Sequence, residues 1–170
     1  MKTTALFAAL LGSLSLAAKG ATFMDASWAS QLCQAWNNSS ELTTKLAGDG
    51  WVGNNAGRGY KTIQMYREGC GPAIKVELKI EDKDGKAICA RGNVVQNKTP
   101  NYKVDYLMHA TDENWTCMGK GSSGCGAMGA MTTGKLKFSG PKVEAMGVIG
   151  PFDSFLQMTG RVPGDKGACP

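Results

Sequence analysis

The chain has 170 residues, which suits a single domain, and its 42% hydrophobic and 19% charged residues are ordinary values for a globular protein. The formal net charge is +5, but the lysines and arginines are scattered, with no basic run and no aromatic residues interleaved among them. This distribution argues against nucleic-acid binding and is compatible with a weak, transient attraction to an anionic membrane surface.

The N-terminus has the pattern of a secretory signal peptide. Met1-Lys2 gives a positive start, an apolar stretch follows, and Ser15-Leu16-Ala17 is an acceptable cleavage motif. The apolar run is too short for a stable transmembrane span. We therefore expect residues 1–17 to be removed and the protein to be exported, either to the periplasm or out of the cell. The alternative is a buried N-terminal helix, or a true start at Met24, in a cytoplasmic protein.

Residues 25–36 predict an amphipathic helix, because Trp28, Leu32 and Trp36 recur every four residues and so share one face. A second short helical piece follows around Leu42. Both pieces present apolar side chains on one side, so we expect them to pack against a sheet.

Four strands are predicted next. They cover Tyr60–Arg67, Ile74–Glu81, Ala87–Val95 and Val104–Ala110. The second strand alternates between apolar and polar residues, which predicts one buried and one solvated face. Asp84-Gly85 predicts a tight hairpin turn between the second and third strands. With one more strand in the second half, these elements predict an α+β fold with an antiparallel or mixed five-stranded sheet, one face of which is covered by helices.

The second half of the chain alternates short helices with the last strand. Thr111 is suited to cap a helix over Asp112–Gly119, and a further helical piece is predicted over Cys125–Thr133. Leu136 and Phe138 then form the inward face of a strand. We expect the last helix to begin at Pro151 and to carry an apolar stripe that consists of Phe152, Phe155 and Leu156.

Six cysteines lie along the chain. They are Cys33, Cys70, Cys89, Cys117, Cys125 and Cys169. An even number in an exported chain allows up to three disulfides, while buried free thiols are an equally good interpretation. No Cys-x-x-Cys pair occurs, and the single histidine, His109, has no cysteine pair close to it in the sequence. We therefore expect neither a metal site nor a redox site.

Few residues have a context that favours catalysis. His109 lies on a strand, on the face opposite Met108, and is interpreted as an exposed or hydrogen-bonded sheet residue. The Gly119–Gly124 loop places its lysine before the serines and follows a helix, so it does not fit a phosphate-binding loop. The sequence therefore predicts a protein that is not an enzyme and uses no cofactor. The alternative is an enzyme with Cys117 or Cys125 as its nucleophile.

Methionine is concentrated in the second half, where six of the nine lie at or after position 108. Glycines and alanines between them leave less side-chain volume than a dense core requires. Ordinary core packing is one interpretation, and a cavity for an acyl chain or a sterol is the other. Burial of about 14 methylenes would contribute roughly 11 kcal/mol before ordering costs.

One segment of this half carries a family resemblance. Residues 130–140 read Ala-Met-Thr-Thr-Gly-Lys-Leu-Lys-Phe-Ser-Gly, and Met146 and Phe152–Leu156 follow. With the order of elements over Asp25–Val162, this segment resembles the sterol carrier protein-2 family, also called nonspecific lipid-transfer proteins, and is similar to small stand-alone bacterial members. The resemblance makes residues 25–162 the lipid-binding domain and leaves 163–170 as a polar tail.

The resemblance implies a hydrophobic tunnel between sheet and helices that binds sterols, fatty acids or related lipids without converting them. An accessory module that works with a separate lipid-metabolising enzyme is the alternative. By matching positions, the tunnel wall comprises Met108, Trp115, Met118, Met128, Met131, Leu136, Phe138, Met146, Phe152 and Phe155. The six cysteines and the predicted signal peptide depart from the family pattern.

Overall fold

The computed structural model describes residues 20–96 and 98–170, and the predicted signal peptide lies outside this part of the chain. In chain order the elements are α1 (Ala26–Asn37), a π-helical turn (Glu41–Lys45), α2 (Leu46–Gly48), β1 (Tyr60–Arg67), a 3-10 turn (Glu68–Cys70), β2 (Ile74–Lys83), β3 (Lys86–Gln96), β4 (Tyr106–Ala110), α3 (Asp112–Gly119), α4 (Ala127–Thr132), β5 (Lys137–Ser139), α5 (Lys142–Gly147) and α6 (Ile149–Arg161). Within the described ranges, no helix has the length and apolarity that crossing a membrane requires.

The five strands form one mixed sheet in the order β3-β2-β1-β4-β5, which confirms the predicted α+β class. All neighbouring pairs are antiparallel except β1 and β4, which are parallel. The hairpin between β2 and β3 turns at Asp84 and Gly85, whose φ angles of 53° and 70° fit the predicted Asp-Gly turn. Helices cover one face of this sheet, so β1, at its centre, presents alternate side chains to the helices.

Helices α1 and α6 supply much of the apolar layer over the sheet. Trp28, Leu32 and Trp36 of α1 are at most 1% exposed, as their shared face predicted. The last helix begins at Ile149, so Pro151 is its third residue rather than its first. Proline is tolerated there because the first-turn N–H groups have no acceptor within the helix.

The solvated face predicted for β2 is only partly exposed. The side chain of Glu77 points away from the helices, yet the residue is only 3% exposed. Its carboxylate accepts hydrogen bonds from Lys98 Nζ at 2.7 Å and from Gln64 Nε2 at 2.8 Å. The alternation identified the two faces correctly, but Lys98, beyond the end of β3, reaches over the polar one.

All six cysteines are paired, which decides between the two interpretations left open by the sequence. The pairs are Cys33–Cys89, Cys70–Cys169 and Cys117–Cys125. The second pair fastens the C-terminal segment to the turn that follows β1. The backbone N–H of Phe23 also donates to the Asp165 carbonyl at 2.7 Å. The polar tail therefore lies against the domain.

Candidate functional site

A small apolar cavity lies between the sheet and the helices. It is lined by Trp36, Leu42, Leu46, Trp51, Ile63, Tyr106, Val148, Pro151, Phe152 and Phe155. Its volume is about 20 Å³, which is room for a single water molecule. An open tunnel is not present in this conformation of the described residues, and the predicted tunnel stays a prediction.

Six different elements, together with Trp51 and Val148 in the connecting segments, bring these side chains together. The π-helical turn places Leu42 against the cavity, and turns of this kind are frequent at functional sites. The aromatic rings contact one another in edge-on or tilted pairs, with centroids 5.6 Å apart for Trp36 and Phe155 and 5.7 Å apart for Trp51 and Tyr106. These rings give the cavity a rigid wall on the side of the sheet and α1.

A polar cluster closes one end of the cavity. The ammonium of Lys61 lies 2.5 Å from Glu144 Oε1, and the hydroxyl of Tyr106 donates to the same oxygen at 3.0 Å. The indole N–H of Trp51 donates to Tyr106 Oη at 2.8 Å, and Asn54 Nδ2 donates to Glu144 Oε2 at 2.5 Å. Two residues of the apolar wall, Trp51 and Tyr106, are thus also members of the cluster.

Burial controls the chemistry of this cluster. Lys61 has no exposed side-chain surface, and burial lowers the pKa of its ammonium while the hydrogen bond to Glu144 opposes the decrease. Burial also raises the pKa of Tyr106, so its phenol remains a hydrogen-bond donor. The Lys61 ammonium lies 4.4 Å from the Trp51 ring centroid and 5.2 Å from that of Tyr106. The arrangement is suited to hold one anionic group.

A second depression lies on the outer side of the same end. It has a volume of about 330 Å³ and is lined by Asp49, Gly50, Trp51, Glu144, Gly147 and Val148. Trp51 and Val148 line both this surface pocket and the inner cavity. These two side chains therefore lie between the cavity and the surface pocket.

The structure divides the ten predicted tunnel residues among several places. Only Phe152 and Phe155 line the inner cavity. Four others line a separate surface pocket of about 210 Å³. These are Met131, Leu136, Phe138 and Met146. Met128 is 51% exposed on α4 and lines a further surface pocket.

The remaining three predicted residues are buried in the core away from the cavity. Met108, Trp115 and Met118 are at most 1% exposed. The indole of Trp115 donates to the Tyr66 carbonyl at 3.2 Å and lies 6.4 Å from the ring of Phe23. Their contacts are those of ordinary core residues in this conformation.

Sequence reasoning missed Lys61 and Glu144, although β1 carries a signal for the first of them. Lys61, Ile63 and Met65 share the helix-facing side of β1, so a lysine occupies a position where the alternation requires an apolar residue. Glu144 offers no such signal, because a glutamate in a short helix is ordinary.

The contacts of His109 lie within the sheet and the turn that follows β1. His109 Nδ1 lies 2.9 Å from Glu68 Oε1, and its ring stacks on Tyr66 with centroids 4.5 Å apart, which fits a hydrogen-bonded sheet residue. In residues 20–96 and 98–170, no group of three or more His, Cys, Asp or Glu side chains is placed to hold a metal ion.

Comparison with known proteins identifies the fold. No protein-family model and no curated protein matches the chain. Among solved structures, a crystal structure of sterol carrier protein 2 matches with a TM-score of 0.55 and 15% identity, over 81% of this chain and 97% of that one. A solution structure of a conserved hypothetical protein from Thermus thermophilus matches with a TM-score of 0.48 and 13% identity, over 88% and 99%. The UbiJ-SCP2 ubiquinone synthesis protein matches with a TM-score of 0.44 and 12% identity, over 81% and 92%. The chain has the fold of sterol carrier protein 2, as the segment 130–140 predicted.

Proposed function

We propose that the protein binds a lipid between its sheet and its helices and carries it without converting it. The observation that carries this proposal is the apolar cavity with a polar cluster at one end, in a chain with the sterol carrier protein 2 fold. An apolar chamber with a few convergent polar groups is the usual form of a small-molecule site.

Lipid binding on this scale requires the cavity to expand. Ligand pockets commonly measure about 300–1,000 Å³, whereas this cavity measures about 20 Å³. The surface pocket beside it already measures about 330 Å³, and only Trp51 and Val148 are shared between the two. Displacement of these two side chains would join the spaces, and an apolar chain of about 14 methylenes would supply roughly 11 kcal/mol gross towards that change.

Transfer also requires contact with a membrane, and the surface around α5 is suited to it. Val143 is 88% exposed and Met146 is 38% exposed, and Lys142 on the same helix and Lys137 on the preceding strand are exposed as well. Apolar side chains flanked by lysines favour a transient encounter with an anionic lipid surface. This surface adjoins the end of the cavity where Glu144 lies.

We further propose that the protein acts in an oxidising compartment and is not an enzyme. Three disulfides in one small domain favour export. Cys117 and Cys125 are bonded to each other, so in this state neither offers the thiolate that a nucleophile requires.

The proposal is tested with a matched pair of valines. Val148 is 5% exposed and lines the cavity, whereas Val143, five residues earlier, is 88% exposed. We expect V148W to weaken binding of a fluorescent fatty acid at least tenfold by filling the chamber, and V143W to bind like the wild type. Circular dichroism checks that both fold, and V148F replaces V148W if the indole prevents folding.

Two outcomes would contradict the proposal. One is a wild-type protein that binds neither a fluorescent fatty acid nor a fluorescent sterol and that carries no lipid in native mass spectra. The other is equal affinity in the wild type and V148W, which would place the ligand elsewhere on the molecule.

A further inference from the structure

We propose that Lys61 is the head-group site for a lipid with a free carboxylate, and that Glu144 occupies this site until the ligand replaces it. Helix α5, which carries Glu144, is then a lid that is latched by the Lys61–Glu144 ion pair. This inference rests on the proposed lipid-binding function and narrows its ligand to an anionic, single-chain class such as fatty acids.

Lys61 occupies an enclosed position beside the cavity. It lies on the helix-facing side of β1, in line with Ile63 of the cavity wall, and its side chain has no exposed surface. An ammonium group has three N–H donors, and among the described residues this one has a single acceptor, Glu144 Oε1. A buried cation without an anion is strongly unfavourable, so this place favours occupation by a carboxylate at all times.

Glu144 and Lys61 differ in their access to water. The side chain of Glu144 is 17% exposed and lines the surface pocket, so its carboxylate has a short path into water. Lys61 has no such path, because the rings of Trp51 and Tyr106 lie over its ammonium group. An incoming anion therefore displaces Glu144, which is rehydrated, while Lys61 stays in place.

Few contacts other than those of Glu144 hold helix α5 in place. Of its six residues only Ala145 is buried, while Val143 points into solvent and Met146 is partly exposed in a surface pocket. None of the three disulfides includes a residue of α5. The helix ends at Gly147, before Val148 begins the junction with α6. The hydrogen bonds of Glu144 are thus the principal polar contacts between α5 and the sheet.

A lipid with a free carboxylate fits the cavity and the polar cluster together. An acyl chain in the cavity would contact Trp51 and Tyr106, the two residues that also contact Lys61. Its carboxylate would then accept hydrogen bonds from Lys61 Nζ and Tyr106 Oη, the same two donors that Glu144 Oε1 now uses. One carboxylate replaces another, and neither donor loses its acceptor.

The test compares a 16-carbon fatty acid with its methyl ester in calorimetric titrations of the whole mature protein. We expect the wild type to bind the acid at least tenfold more tightly than the ester, because only the acid can take over the hydrogen bonds from Lys61 and Tyr106 while Glu144 is rehydrated. K61M should bind both compounds equally, with an ester affinity like that of the wild type. E144Q should bind the acid with an affinity at least about three times that of the wild type, because the competing carboxylate is absent.

Hydrogen exchange gives a second measurement that does not depend on any variant. The acid should increase exchange in residues 143–147 of the wild type more than the ester does, because only the acid displaces Glu144. If the wild type binds neither compound, the proposed lipid function is wrong. Equal binding of acid and ester by the wild type leaves lipid binding standing and overturns the role of Lys61, and this comparison decides the matter even if K61M does not fold.

Discussion

Each end of β1 places a buried cation on the helix-facing side of the strand, but the two cations differ in their hydrogen-bond partners. Lys61 and Arg67 are both buried cations, 0% and 4% exposed, with Ile63 and Met65 between them. Arg67 makes two hydrogen bonds to the Asp112 carboxylate, at 2.7 and 2.6 Å, and further ones to two backbone carbonyls of the C-terminal segment. Lys61 has one carboxylate, held by a six-residue helix. A cation whose donors are nearly all used fastens the fold, whereas a cation with one replaceable partner is available for a ligand.

The pKa shifts at the two ends have opposite directions. The hydrogen bond with Asp112 raises the pKa of Arg67, and the same contact lowers the pKa of Asp112. At the other end burial lowers the pKa of Lys61. The environment of Arg67 thus favours its charge, while that of Lys61 disfavours it and depends on an anion to hold it.

The largest expected effect is the loss of Arg67. R67M should lower the free energy of unfolding by about 3–5 kcal/mol, because four charge-assisted hydrogen bonds are lost, two of which hold the C-terminal segment. K61M, the matched change, should cost less than about 1.5 kcal/mol, because Glu144 is then free to be hydrated. Urea denaturation of both variants measures the difference. Equal costs would remove the distinction between the two ends.

The Arg67 end is also closed by a disulfide, and its removal is the next largest effect. The bond joins Cys70 to Cys169, which are 99 residues apart, so replacement of both by serine should cost about 2–4 kcal/mol. The Cys117–Cys125 pair is only 8 residues apart, and its removal should cost roughly 2 kcal/mol less. Thermal unfolding of the two double variants makes the comparison. A larger loss from the short pair would contradict it.

The α5 end should make the membrane contact, and a single lysine tests this. K142E should reduce binding to vesicles that contain about 30% anionic lipid about fivefold or more, because each lysine near the surface contributes about 1 kcal/mol. K86E makes the same charge change on β3, at another exposed position, and should have a smaller effect. Vesicle co-sedimentation measures both. Equal losses would indicate that net charge alone drives the binding.

Local patterns in the sequence predicted most of the elements, but not α5, and they placed Leu136 in a strand that begins at Lys137. The cavity, by contrast, depends on contacts between distant segments. The face of α1 with Trp28 and Trp36, and the turn at Asp84-Gly85, followed from spacing and turn chemistry. The parallel pairing of β1 with β4 joins segments that are far apart in the chain, such as Ile63 and Tyr106, and spacing carries no information about it.

The site shows the same division between local and distant information. The concentration of methionine drew the tunnel prediction to the second half, yet no methionine lines the cavity and half of its wall comes from the first half of the chain, namely Trp36, Leu42, Leu46, Trp51 and Ile63. A concentration of methionine indicates adaptable side chains, but it does not indicate where the folded chain leaves a cavity. Lys61, a charge out of place in the alternation of β1, is the one local signal at the site that composition did not reveal.

The smallest expected effect is the pH dependence of stability, in which the two ends should act in different pH ranges, Asp112 on the acid side and Lys61 on the alkaline side. The folded-state pKa of Asp112 is lowered, so its contribution is present above the unfolded value of about 3.9 and is lost as the pH falls through the folded value. D112N should abolish this acid-side loss. Because Asp112 is partly exposed, that loss should stay below about 1 kcal/mol after solvent screening.

At Lys61 the lowered pKa acts on the alkaline side. The folded protein releases this proton before the unfolded chain does, so the cost of burying the charge disappears between the folded-state pKa and the ordinary value of 10.5. Glu144 and Tyr106, which face the ammonium, and Asp105 and Arg58, whose charges also act on it, remain in K61M, so their own contributions persist there. Stability should therefore rise relative to K61M as the pH increases through this window. Denaturation curves from about pH 8 to 10.5 measure the difference between the two proteins. A constant difference across that range would mean that the Lys61 end holds its charge as firmly as the Arg67 end does.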